Sequence, residues 1–139
     1  MAVTGKKPSE FSAATISALR SILKTKSVYT VLLSQAGTDA PSAIVLEDTV
    51  TNIVLSRSAQ GESTLTKVGA FPVDKTTPKI ADHVDEYDTL IRAERISDDV
   101  MKVTTWATGT WTKNNDGTIT GTPSDDLLTK QYINIEIYS

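Results

Sequence analysis

TVLLSQAGTDAPSAIVLEDT, residues 30–49, consists of two apolar runs joined by a short stretch of Gly, Asp and Pro. Aliphatic and β-branched residues fill both runs, and the joining residues are types that end regular structure and turn the chain. The stretch reads as strand, loop, strand. Nothing in it serves as a nucleophile, a general base or a tight metal ligand, so its contribution is architectural.

Working outward, the same vocabulary extends from residue 28 to the end. Thr, Val and Ile dominate, and the 21 threonines outnumber the 14 Lys and Arg residues together. Strands are expected at Val28–Ser34, Ala43–Glu47, Asn52–Ser58, Ser63–Ala70 and Pro78–Asp82. Further strands are expected at Thr89–Ile96, Val100–Trp106, Thr108–Lys113, Thr118–Thr122 and Gln131–Tyr138. Short strands at this spacing, separated by Gly, Pro, Asn and Asp, predict a mainly β domain, an antiparallel sandwich or barrel. The last strand alternates, with Ile133, Ile135 and Ile137 on one face and Asn134, Glu136 and Tyr138 on the other. In ERISDDVMKV the Asp98–Asp99 pair is placed to turn a hairpin. In TWTKNNDGTITG the Asn115–Asp116–Gly117 stretch supplies residues that tolerate positive φ.

The first 27 residues differ. They hold five basic residues against one acidic, whereas the remainder holds nine against sixteen, within a net charge of -3. Phe11, Ile16, Leu19, Ile22 and Leu23 recur at helical spacing, predicting a short amphipathic helix from Ser9 or Ser12 to about Lys24. A helix of about fifteen residues is marginal alone and needs a surface to pack on. The expected organisation is therefore a basic arm and helix over 1–27 and a β domain over 28–139. Phe11, Ile16, Leu19 and Leu23 are the expected oligomer or attachment contacts, with Lys6 and Lys7 meeting an acidic surface. The competing structural role for the stripe is to cover one face of the β domain.

Several function classes lack support. The chain has no cysteine, which removes disulfides and zinc–thiolate sites and suits assembly in a reducing cytosol. No apolar run approaches the ~20 residues that span a bilayer, and MAVTGKKPSEFS lacks the apolar centre of a secretory signal. Gly109, Gly117 and Gly121 fit no phosphate-binding pattern, and an acidic body without interleaved Lys, Arg and aromatics argues against nucleic acid. ADHVDEYD surrounds the only histidine, His83, with carboxylates, yet lacks the glycine and ligand spacing of a calcium loop. KNNDGT is accounted for by a hairpin turn. No metal, no cofactor and no catalytic group is expected. Trp106 and Trp111, with Asn114 nearby, could stack on and hydrogen-bond to a sugar, making a glycan-binding module the alternative function.

VYTVLLSQAGTDAPSAIVLEDT, followed by GAFPVDKT and a final INIEIYS, resembles a recurrent module of virion appendage proteins in phages of Bacteroidetes, including crAss-like phages. The likeness rests on Tyr29, Leu33, Gln35, Gly37, Thr38, Ala40, Pro41, Val45, Leu46 and Thr49, on Gly69 and Phe71, and on Ile135, Glu136, Ile137 and Tyr138. It covers nearly half the chain. Asp48 stands where the module usually has Asn, and the segment TWATGTWTKNNDGTITG has no counterpart in it. The resemblance implies a structural, non-catalytic virion protein: a head fibre, tail fibre or capsid-associated protein. It implies assembly in the bacterial host cytoplasm, a homo-oligomer with a trimer favoured, and capsid or portal-proximal virion proteins as partners.

Overall fold

The computed structural model describes residues 26–78 and 82–139. The expected N-terminal helix and the contact residues Lys6, Lys7, Phe11, Ile16, Leu19 and Leu23 lie outside them. The described chain is mainly β, and every strand pairing in it is antiparallel. The strands are β1 (Lys26–Ser34), β2 (Ser42–Asp48), β3 (Val54–Ala59), β4 (Glu62–Thr66), β5 (Thr76–Pro78) and β6 (Asp82–Val84). They continue as β7 (Leu90–Ser97), β8 (Val100–Trp106), β9 (Trp111–Lys113), β10 (Ile119–Gly121) and β11 (Gln131–Tyr138). A four-stranded sheet has the order β2-β1-β11-β5, a five-stranded sheet the order β3-β4-β8-β7-β6, and β9 and β10 form a separate ribbon.

Period-two alternation places the core. Tyr29, Val31 and Leu33 of β1 and Ile133 and Ile135 of β11 turn to one face of the four-stranded sheet. They pack with Leu65, Ile91, Ala93, Met101 and Val103 of the five-stranded sheet in one hydrophobic cluster. Burying each such aliphatic side chain contributes roughly 1.5–3 kcal/mol. Two loop residues complete the cluster, Phe71 and Leu128, both fully or almost fully buried. Val28, Thr30 and Leu32 take the opposite face of β1, level with Glu136, Asn134 and Tyr132 of β11.

Three expected strands come out differently. Ser63–Ala70 stops at Thr66, because Gly69 adopts a φ of 68° and the loop turns to bind the β7–β8 hairpin. There the Lys67 N–H donates to the Asp99 carbonyl, the Phe71 N–H to the Asp98 carbonyl and the Gly69 N–H to Asp99 Oδ1. Pro78–Asp82 is not one strand. Its ends belong to different sheets, β5 pairing with β11 and β6 with β7. Thr108–Lys113 shortens to β9 because Ala107–Thr110 forms a turn with Gly109 at a φ of 73°. The Asp98–Asp99 and Asn115–Gly117 hairpin turns are present, and of the latter three residues only Gly117 has positive φ.

Gly61, in the β3–β4 turn, has a φ of 66°, and a Cβ there would lie 2.5 Å from the Ser124 nitrogen and 2.6 Å from Pro123 Cβ. Gly61→Ala is expected to lower the unfolding free energy by roughly 1–3 kcal/mol, through backbone strain and displacement of the 123–124 segment. Urea denaturation followed by circular dichroism measures it. An unchanged midpoint would mean that the packing of this segment on Gly61 contributes nothing.

Candidate functional site

The loop that joins β1 to β2 is held from both sides by polar side chains. Gln35 is buried; its N–H donates to the Leu128 carbonyl and its Nε2 to the Asp39 carbonyl, closing the Gly-Thr-Asp-Ala-Pro link on itself. The Gly37 N–H donates to Asp126 Oδ1 at 3.0 Å, and the Asp126 N–H donates back to Gln35 Oε1. Beside it, Asp125 accepts two bonds from the Arg57 guanidinium, at 3.0 and 2.8 Å, one from the Gly61 N–H at 2.9 Å and one from Gln35 Nε2. The fork from Arg57 and the Gly61 N–H hold the Asp125 carboxyl well below the usual carboxylate range. This cluster is a clamp whose oxygens are already used.

A second charged cluster lies where the β9–β10 ribbon meets the five-stranded sheet. Arg92 of β7 forms a two-pronged pair with Asp82 of β6, at 2.7 and 2.9 Å, and its Nη2 also donates to the Gly117 carbonyl at 2.8 Å. Lys113 Nζ reaches Asp82 Oδ2 at 2.9 Å. Bonding to Arg92, and then to Lys113, lowers the Asp82 carboxyl to about 2. An open cleft of about 340 Å³ runs beside this cluster, lined by Asp82, Arg92, Glu94, Asp116, Gly117 and Thr118. Near neutral pH the Asp82 carboxylate remains ionised, so it serves as a fixed acceptor and charge rather than as a proton carrier.

The residues expected to meet a sugar separate. Trp106, the last residue of β8, is only 7% exposed, which leaves its ring no free face for stacking. Trp111 is half-buried on the ribbon, with its Nε1 donating to the Asp88 carbonyl at 3.0 Å. Asn114 is exposed at the ribbon turn, where its Nδ2 donates to Thr118 Oγ1 and Thr120 Oγ1. Trp111 and Asn114 therefore share an element, and Trp106 does not join them. An aromatic not singled out from the sequence, Tyr87, is 72% exposed on the neighbouring loop, where its carbonyl accepts from Thr108 Oγ1.

The acidic stretch around His83 resolves into structural parts. Asp82 is in the ion pair, and Asp85 Oδ1 accepts the N–H groups of Tyr87 and Thr89, shaping the turn that ends β6. A cleft of about 540 Å³ opens beside this turn, lined by Asp85, Glu86, Tyr87, Asp126 and Gln131 among others. Among the described residues, no group of three or more metal-ligating side chains converges. Comparison with protein-family models, curated proteins and solved structures finds no match for this chain.

The pH dependence has a definite sign. The folded Asp82 carboxyl titrates at about 2 against an ordinary 3.8. The stability it adds is therefore complete above about pH 4 and is lost as pH falls towards 2. Asp82→Asn is expected to lower the urea midpoint at pH 7 and to flatten its decline between pH 4 and 2. Midpoints at four pH values for both proteins test this, and parallel curves would contradict the assignment.

Proposed function

We propose that this chain is a structural phage virion protein, a head fibre or capsid-attached appendage that oligomerises and docks through residues 1–27. The observation that carries the reading is the construction of residues 28–49, the segment with the strongest resemblance to virion appendage modules. Its Tyr29 and Leu33 sit in the core, and its Gln35 and Gly37 are locked into the clamp. Its second strand, β2, is an edge strand with Ile44, Val45 and Leu46 each more than half exposed. A rigid unit with its polar groups used internally and an apolar edge outward suits packing in an assembly better than turnover of a substrate. The matched Phe71 and Ile135 are likewise core residues. We read the two larger sheets, which share one core, as the layers of a sandwich.

Virion proteins of the capsid or portal region are the partners in this reading, and the particle is assembled in the bacterial cytoplasm. Closed symmetry, a trimer first, terminates such an assembly. Light scattering coupled to size-exclusion chromatography is expected to show a closed oligomer. Leu19→Asp should lower its mass while the β-sheet circular-dichroism signal persists. A wild-type monomer at all concentrations would overturn the appendage reading.

One observation favours glycan attachment as a second reading: exposed Tyr87 and half-buried Trp111 meet the base of the β9–β10 ribbon, whose turn carries Asn114. Aromatic faces next to amide and hydroxyl groups are a sugar-binding composition. On a broad glycan array this reading expects binding that Trp111→Ala reduces about tenfold or more, the effect of losing an aromatic anchor. No binding by the unmodified chain would remove it.

A further inference from the structure

The bonds that β2 makes to β1 fix which of its backbone groups remain free. The Thr49 N–H donates to the Val28 carbonyl and the Val28 N–H to Thr49 Oγ1, so Val28 directs its backbone groups towards β2. In an antiparallel strand alternate residues point the same way, so Thr30, Leu32 and Ser34 do likewise. Their partners in register are Glu47, Ile44 and Ser42. Ala43 and Val45, in the alternate positions, therefore aim their N–H and C=O groups away from β1. That side of β2 is the end of its sheet, and no strand among the described residues pairs with it. The side chains are as open as the backbone: Ile44 is 52%, Val45 55% and Leu46 54% exposed. Leu46 is the extra residue of the register shift opposite Thr30 and Val31, so the stretch from Ser42 to Val45 is regular. Among the other edges, β5 and β6 are three residues long and β3 is shifted in register between Arg57 and Ala59.

We propose that β2 pairs with β2 of a second copy of this chain, antiparallel, about a two-fold axis at Ile44. In this register Ala43 faces the partner's Val45, and Val45 the partner's Ala43, so every outward N–H and C=O of the two residues finds its complement. Ile44 faces its own counterpart in the non-hydrogen-bonded position, where side chains come closest. An axis at Ala43 would set Val45 against Pro41, which has no N–H to give. An axis at Val45 would set Ala43 against Glu47, whose groups already point at Thr30. The Ile44 register also places Glu47 opposite Pro41 and Asp48 opposite Ala40, so no carboxylate opposes another. On the outer face Tyr132, Leu32 and Ile44 form a row across β11, β1 and β2, and the axis continues this row into the second copy. Self-pairing about a two-fold is closed: it covers both β2 edges and leaves neither to recruit a further chain, whereas pairing with a different edge would not close in this way. This inference rests on the use of β2 as an assembly edge under the virion reading and names its occupant. The contact is separate from any contact through residues 1–27, and it joins single chains or closed oligomers alike.

The chain contains no cysteine, so single thiols can be placed in the full-length protein at chosen sites. Ile44→Cys is expected to link to its own counterpart in oxidised glutathione. Antiparallel partners at a non-hydrogen-bonded site have Cα atoms about 4.5 Å apart, within the roughly 4.4–6.8 Å that a disulfide spans. Tyr132→Cys, on the same face and 42% exposed, is the control for chance collision. Paired thiols act at an effective concentration on the order of millimolar, so in ~0.1 mM protein Ile44→Cys should link about tenfold faster than the control. A mixture of Ala43→Cys with Val45→Cys should link across the two variants faster than within either, read by denaturing electrophoresis without reductant. An Ile44→Cys rate no higher than that of the control would overturn the pairing. Val45→Cys linking to itself faster than to Ala43→Cys would overturn the register and the argument from outward groups. All rates are measured again with Leu19→Asp added. The Ile44→Cys link is expected to persist there, and its loss would overturn the proposal by tracing the contact to residues 1–27. Oligomer mass, which tests the appendage reading, is read separately, so either idea can fail alone.

Discussion

The Asp125 carboxylate joins parts of the chain that no ladder hydrogen bond connects. It takes the fork of Arg57 from β3, the Gly61 N–H from the β3–β4 turn and Gln35 from the end of β1, so one side chain ties an edge of the five-stranded sheet to the four-stranded one. The Arg57 pair spans 68 residues of sequence. Charge-assisted and bidentate bonds of this kind are the stronger class of protein hydrogen bond, and they fix orientation as well as distance. With the clamp closed, Gly37 docks on Asp126, Leu128 is drawn into the core, and β11 enters beside β1 in a defined register. Without it, the two layers would rely more on apolar contact, which is far less directional, beside bonds such as Lys67 Nζ to the Val50 carbonyl.

The acidity of the body has the same structural origin. Asp48 accepts the N–H groups of Val50 and Thr51, and Asp85 those of Tyr87 and Thr89. Asp99 takes that of Gly69, and Asp116 that of Thr118 together with its hydroxyl. Short carboxylate side chains satisfy backbone donors that a reversal leaves unpaired, which is why Asp is favoured in turns. A protein with this many reversals accumulates aspartates without concentrating them in a ligand site. Its negative charge is therefore spread over turns at several places on the surface.

Much of the β architecture was legible because side-chain alternation and turn chemistry are local. Gln131–Tyr138 and Val100–Trp106 emerge with the expected bounds, since each is a patterned run between breakers. What local pattern cannot carry is partnership. Nothing in Pro78–Asp82 shows that its two ends serve different sheets, and nothing near Trp106 shows that its side chain is buried. The clamp and the Asp82–Arg92–Lys113 cluster join residues by folding rather than by spacing, so no motif could announce them. Tyr87 is not legible, because a single aromatic in an acidic turn has no distinguishing pattern. The contact residues from Lys6 to Leu23 were legible as a stripe and a charge excess, and they lie outside the described chain.

The pairing of β1 with β11 also imposes a timetable. Lys26 meets Glu136, 110 residues further along the chain. At ribosomal rates of about 5–20 residues per second, β1 waits roughly 5–20 seconds for its partner to be synthesised. During that interval it holds its apolar face and one row of backbone groups without the strand that will satisfy them. β2, available first, can shield only the other edge. The four-stranded sheet is therefore completed late in synthesis, and a chaperone has its longest opportunity to bind at β1.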